Sequence, residues 1–176
     1  MSLGRLRAVL PPPSRPNETG GGASWSEIER RIGTALPADY KAFIAVYGTG
    51  RVDDFLVILN PFTANPYIDL VDHALNDPEG LAGLRRDHPG LYRFDRYPAP
   101  GGLMPFGVTD NGDLFYWKTA GPAEGWTVVV CEARGLDCDE IALSMSDAVA
   151  ALLIRTVRTR VLPPGFPTAH PAFHSG

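Results

Sequence analysis

Three groups of residues in this chain have the side-chain types that could do chemistry. Asp110, Asn111 and Asp113 cluster as a cation loop would, but they lack the alternating ligands and distal Glu of an EF-hand. Asn111-Gly112 is a preferred pair for a tight hairpin turn, so the cluster reads as a turn with an acidic tip that a partner could contact. Cys131 and Cys138 lie on either side of a second expected turn. With no further Cys and no nearby His they do not complete a zinc site. They read as free thiols in a reducing compartment, with a cross-strand disulfide as the alternative. His73 and His88 are isolated and His170 and His174 fall in the C-terminal stretch; none has the setting of a catalytic base. Asp53-Asp54 and the pair Asp69, Asp72 could form carboxylate pairs, although solvated charge near helix starts is the simpler account. The chain has no Gly-x-Ser-x-Gly elbow, P-loop or dinucleotide fingerprint. It reads as a non-enzyme, with no cofactor and no metal.

The elements that must carry these residues follow from periodicity. Residues 1–23 are rich in Pro and Gly and read as a flexible lead-in. Ser24 with Glu27 is a capping-box pattern opening a helix whose apolar edge is Trp25, Ile28 and Ile32, stopped at Gly33. Pro37 suits the first position of a second helix; Tyr40, Phe43, Ile44 and Tyr47 recur on one face and Gly48 ends it. Phe55 to Leu59 reads as a strand buried on both faces. A helix is expected from Ile68 to Asn76, with another turn possible through Arg86. Leu91 to Tyr97 is either an excursion across the sheet or a loop.

Leu103–Val108 and Leu114–Thr119 form a hairpin, followed by a strand over Trp126–Cys131 and a shorter edge strand over Cys138–Leu143. Alternation must send Phe115, Tyr116 and Trp117 to opposite faces. A final helix follows Ser144, with Val149, Leu152, Leu153 and Thr156 on one side, and 161–176 reads as an irregular Pro-rich tail. The class is α+β: a single domain with a meandering, mostly antiparallel sheet and helices on one face.

At 176 residues the chain is long enough to bury one full core. Its net charge of −4 is unevenly spread. Between Val52 and Glu140 lie 15 Asp or Glu against 6 Lys or Arg, whereas Arg155, Arg158 and Arg160 stand in a C-terminal stretch without acids. An acidic body disfavours direct nucleic-acid binding and suits a basic protein partner. No apolar run is long enough to span a membrane and no signal-peptide core follows Met1, so a cytoplasmic location is expected.

Two sets of residues together resemble the SMI1/KNR4 family of the SUKH superfamily, over roughly residues 24 to 155. The first is Trp25-Ser26-Glu27-Ile28-Glu29, Ile32-Gly33, Leu36-Pro37-Ala38-Asp39-Tyr40-Lys41, Phe43 and Gly48-Thr49-Gly50. The second is Met104-Pro105-Phe106-Gly107, Thr109-Asp110-Asn111-Gly112-Asp113 and Phe115-Tyr116-Trp117. The resemblance implies an SMI1/KNR4-like domain over 24–160 and a protein-binding module. In bacteria this is most often an immunity protein that blocks a secreted or contact-delivered toxin, often a nuclease. A regulatory or scaffolding role, such as the cell-wall synthesis linked to fungal relatives, is the alternative, and an enzyme with an unrecognised pocket the third. On the immunity reading, Tyr92, Asp95, Tyr97, Asp110 and Asp113 are the expected interface residues.

Overall fold

The computed structural model describes residues 3–22, 24–76, 87–91 and 93–176. Tyr92 and the helical turn expected between Asn76 and Arg86 lie outside them. The α-helices are α1 (Leu3–Val9), α2 (Trp25–Ile32), α3 (Ala38–Tyr47), α4 (Leu70–Leu75) and α5 (Met145–Leu153). The strands are β1 (Gly50–Val52), β2 (Leu56–Ile58), β3 (Leu103–Thr109), β4 (Leu114–Lys118), β5 (Thr127–Cys131), β6 (Cys138–Ile141) and β7 (Phe173–Ser175). They form one sheet in the order β6-β5-β4-β3-β2-β1-β7, antiparallel at every pairing. Six strands meander in sequence and the C-terminus returns to close the far edge.

The helices cover one face of this sheet, as expected for an α+β layer. Phe106, Phe115, Trp117, Val128 and Val130 point from the strands into the same apolar cluster as Ile28, Tyr40, Phe43 and Val149 from the helices. β4 alternates as strand geometry requires: Phe115 and Trp117 are fully buried while Leu114, Tyr116 and Lys118 reach the opposite face. Tyr40 meets Trp117 edge-on at 5.0 Å, an arrangement that suits the aromatic quadrupoles.

Both ends of the chain differ from the sequence expectation. The stretch read as a lead-in carries α1, whose Leu6 and Leu10 are fully buried; the Tyr47 hydroxyl donates to the Leu10 carbonyl at 2.5 Å. Burying each leucine contributes about 2 kcal/mol toward ordering the segment. The stretch read as an irregular tail ends in β7, with Phe173 against Phe43 and Tyr47. These pieces were hard to read because each is short and docks through long-range contacts.

The docking point is the Gly48-Thr49-Gly50 pattern. A Cβ on Gly48 (φ 65°) would fall 1.8 Å from the Asn17 carbonyl oxygen, and one on Gly50 would fall 2.3 Å from the His174 carbonyl oxygen. Between them, the Thr49 N–H donates to Asn17 O at 3.1 Å and the Gly176 N–H donates to Thr49 O at 3.2 Å. Both termini therefore press onto backbone that only glycine leaves open.

The Leu-Pro-x-Asp-Tyr-Lys segment is likewise spent on the fold. Asp39 Oδ2 accepts from the Ser146 N–H at 2.9 Å and from its hydroxyl at 2.8 Å, so a carboxylate on α3 satisfies the N-terminus of α5. Leu36 N–H and Lys41 Nζ both donate to Glu29 Oε1, at 2.9 and 2.8 Å, and the Tyr40 hydroxyl donates to Leu59 O at 2.7 Å. The expected capping box at Ser24 does not form: Ser24 pairs with the Ser26 hydroxyl, and the Glu27 carboxylate binds Arg30 at 2.6 Å. A guanidinium one turn ahead is a stronger donor for Glu27 than a neutral N–H.

Candidate protein-binding surface

The sheet face opposite the helices holds the second set of features. Its register rows run Leu114–Cys131–Cys138, then Tyr116–Val129–Glu140. Cys131 and Cys138 are bonded as a disulfide with their Cα atoms 4.2 Å apart. This corrects the free-thiol expectation. The physical reason is register: the two cysteines are directly opposed on neighbouring strands, with their side chains on the same face.

Part of this face is crossed by Leu91 and residues 93–97, within the segment Leu91 to Tyr97 read as an excursion or a loop. The segment is held at its C-terminal end. The Arg96 guanidinium donates to the carbonyls of His73 and Asn76 at 3.0 and 2.7 Å, covering the C-terminus of α4. The Tyr97 hydroxyl donates to Ile32 O at 2.8 Å, closing the end of α2. Burial pushes that phenol above its ordinary pKa. Further along, Phe94 lies 5.5 Å from the Lys118 ammonium, and Arg93 and Lys118 both bind Glu140. The hydrogen bond from Lys118, more than the nearby Arg93 charge, holds the Glu140 carboxyl below the usual glutamate range.

A cavity of about 160 Å³ opens between this strap and the β5–β6 hairpin. Leu91, Phe94, Leu114, Tyr116 and Leu136 line it beside the disulfide. Leu91 is 57% exposed and Leu136 52%. A second, polar depression of about 520 Å³ adjoins it, lined by Asp110, Asn111, Asp113, Glu132 and Arg134, and shares Glu132, Ala133 and Gly135 with the first.

The sequence candidates are placed as follows. Asp110 is exposed at the β3–β4 turn and pairs with Arg51. Asp113 is buried: its carboxylate accepts from the Thr109 hydroxyl at 3.0 Å and from the Ala133 N–H at 3.1 Å, tying the two hairpins together. Asp95 is exposed, and its carbonyl accepts from Leu103 N–H at the opposite end of β3, roughly 20 Å from Asp110 by strand rise. The structure thus does not bring the candidates into one patch, and Asp113 and Tyr97 serve the fold. Tyr92 lies outside the described residues. Leu91, Phe94 and Leu136, which line the cavity, are not among the sequence candidates; their sequence signal is a large apolar residue inside a polar segment.

Among the described residues no group of three or more His, Cys, Asp or Glu is placed to hold a metal ion. No helix among them is long and apolar enough to cross a membrane.

A helical layer packed on one side of an antiparallel meander defines a single-domain α+β protein. Its particular family is shown by comparison: the SMI1-KNR4 cell-wall family model, SUKH_6, matches residues 23–146, and the chain belongs to that family. A curated relative is the SPbeta prophage-derived uncharacterized protein YokK of Bacillus subtilis (strain 168). It is 29% identical over an alignment of 112 residues, covering 52% of this chain and 58% of that protein. The chain therefore spans a little over half the length of the relative it matches. No solved structure matches the chain.

Proposed function

We propose that this chain is a protein-binding module of the immunity type, which neutralises one cognate toxin by covering its active site or substrate groove. The observation that carries this reading is the division of labour within the family domain. The motif residues Asp39, Tyr40, Gly48 and Gly50 are consumed by the fold, while the strap and hairpin turns beside the sheet face opposite the helices present the exposed apolar Leu91 and Leu136 and the acidic Asp110. A surface of that kind binds and occludes; it does not need a reactive group. The acidic body would complement the basic groove with which a nuclease holds phosphate, and such a toxin would be met in the cytoplasm. Asp95 and Asp110 stay as exposed contact candidates on this reading.

The test is to capture partners of the tagged chain from its source and identify them by mass spectrometry. A toxin domain encoded beside this gene is then assayed with and without the purified chain. Stoichiometric binding that abolishes toxin activity supports immunity. A set of housekeeping proteins, with no toxin among them, would replace this reading by the regulatory or scaffolding one.

A further inference from the structure

Two adjoining concavities of opposite character make up the most informative surface of the molecule. The apolar one, about 160 Å³, is walled by Leu91, Phe94 and Leu136 and floored by Leu114 and the Cys131–Cys138 bond. Its size is close to that of the engineered leucine-lined cavity of ~150 Å³ that takes up benzene. One large apolar side chain fills it. The polar one shares Glu132, Ala133 and Gly135 with it and opens toward Asp110.

The charge at this junction selects the second feature of the occupant. In the depression's lining Asp113 is buried against Thr109 and Ala133, so Asp110 and Glu132 are the carboxylates that a partner can reach; Arg134 is the cation beside them, and Arg51 pairs with Asp110 from outside. The same edge of the sheet already holds one cation of the chain: Arg160 donates to the Asp139 carboxylate at 3.1 Å, and Asp139, Asp137 and Glu132 together favour its charged form. An apolar side chain with a guanidinium or ammonium beside it matches both concavities at once. A purely apolar ligand would leave the acidic depression unanswered, and a purely basic one would leave Leu91 and Leu136 exposed.

We propose that this double groove binds a loop of the partner protein that carries one large apolar side chain next to a basic one. The apolar group enters between Leu91, Phe94 and Leu136, and the cation faces Glu132 and Asp110. This rests on the protein-binding reading above and specifies where and by what chemistry the partner is recognised.

The probe is the capped peptide acetyl-Gly-Arg-Phe-Arg-Gly-amide, titrated into the intact, disulfide-bonded protein and followed by methyl and amide NMR. Saturable shifts at Leu91, Leu114, Leu136 and Gly135 are expected, with a dissociation constant on the order of millimolar for so small a ligand. Replacing Phe by Ala, or both Arg by Glu, should weaken binding at least about tenfold. In the protein, Leu136→Asp and Leu91→Asp should abolish the shifts, while Tyr67→Asp, at an exposed aromatic outside this lining, should leave them intact. Near-native spectra confirm that each variant is folded. Absence of shifts at about 10 mM peptide, shifts confined to another surface, or equal binding of the Glu peptide would each overturn the proposal. So would concentration-dependent self-association, abolished by Leu136→Asp, in place of peptide binding, because the groove would then belong to a second copy. Toxin protection that survives loss of peptide binding would overturn the groove and leave the immunity reading standing.

Discussion

Removing the Asp39 carboxylate tests whether the family motif acts through a tertiary helix cap. Its Oδ2 atom accepts two hydrogen bonds from Ser146, a fully buried residue 107 positions away in sequence, and Oδ1 accepts from the Tyr40 N–H at 2.8 Å. Asp39→Ala removes a cap worth about 1 kcal/mol. It also removes the hydrogen bond that the Ser146 hydroxyl donates to a charged group, which costs roughly 2 kcal/mol more. The expected loss is about 3 kcal/mol, equivalent to a fall in Tm of about 6–12 °C for a chain of this size. Ser146→Ala alone should cost about 1 kcal/mol, since Asp39 keeps its two backbone partners. The double variant should lose about 3 kcal/mol rather than 4, because the hydroxyl–carboxylate bond is already lost in Asp39→Ala and counts once. Urea unfolding with an unchanged m-value measures all three. Effects that add to within about 0.5 kcal/mol, or a loss below about 1 kcal/mol for Asp39→Ala, would refute the cap.

Further outcomes follow from other contacts. Gly48→Ala must move the Asn17 carbonyl, 1.8 Å from the new Cβ, at a φ of 65°; a loss of about 3 kcal/mol or more is expected in the same unfolding assay. Replacing both Cys131 and Cys138 by Ser opens a loop of eight residues. Chain-entropy arguments put the cost at about 2.5 kcal/mol, with equal destabilisation of the native protein by a dithiol reductant. Acid should destabilise the fold through Glu29 and Glu140. Burial works to raise the Glu29 pKa, but the Leu36 N–H and Lys41 outweigh it; Lys118 is the main cause at Glu140; both end below the ordinary 4.5. A depressed folded-state pKa contributes stability that is present above pH 4.5 and is lost as pH falls through the folded-state value. Glu140→Gln should therefore flatten the stability profile below about pH 4.5, and an unchanged slope would remove that carboxylate from the account.

Periodic elements were legible and docked ones were not. α3 announced itself through Tyr40, Phe43, Ile44 and Tyr47 at helical spacing, and β4 through the alternation of Phe115, Tyr116 and Trp117. Both patterns are local, so the sequence carries them directly. α1 and β7 depend on Leu6, Leu10 and Phe173 finding a core assembled elsewhere, and β1 is three residues long; no window around them contains a full period. Asp113 shows the same limit at a single side chain. Its place in the Asn-Gly turn was evident, but its burial depends on Ala133 from a second hairpin, 20 residues on. The disulfide, too, follows from strand register, which spacing alone does not settle.

The candidate surface was illegible for a further physical reason: the groove residues contribute little to the core. Leu136 is half exposed at the tip of a hairpin whose closure is covalent, and Leu91 lies on a strap held by Arg96 and Tyr97 several residues away. Substituting either should change stability by no more than about 0.5 kcal/mol, against about 3 kcal/mol for Asp39. The anchoring bonds of Arg96 are to backbone carbonyls, and Tyr97 likewise donates to a carbonyl, so they hold the strap whatever side chains it displays. On the proposed reading, a domain built this way fixes the geometry of its binding face through one set of residues and writes its partner preference in another. The motif that identifies the family thus has no reason to identify the partner, whose chemistry has to be read from the shape and charge of the groove.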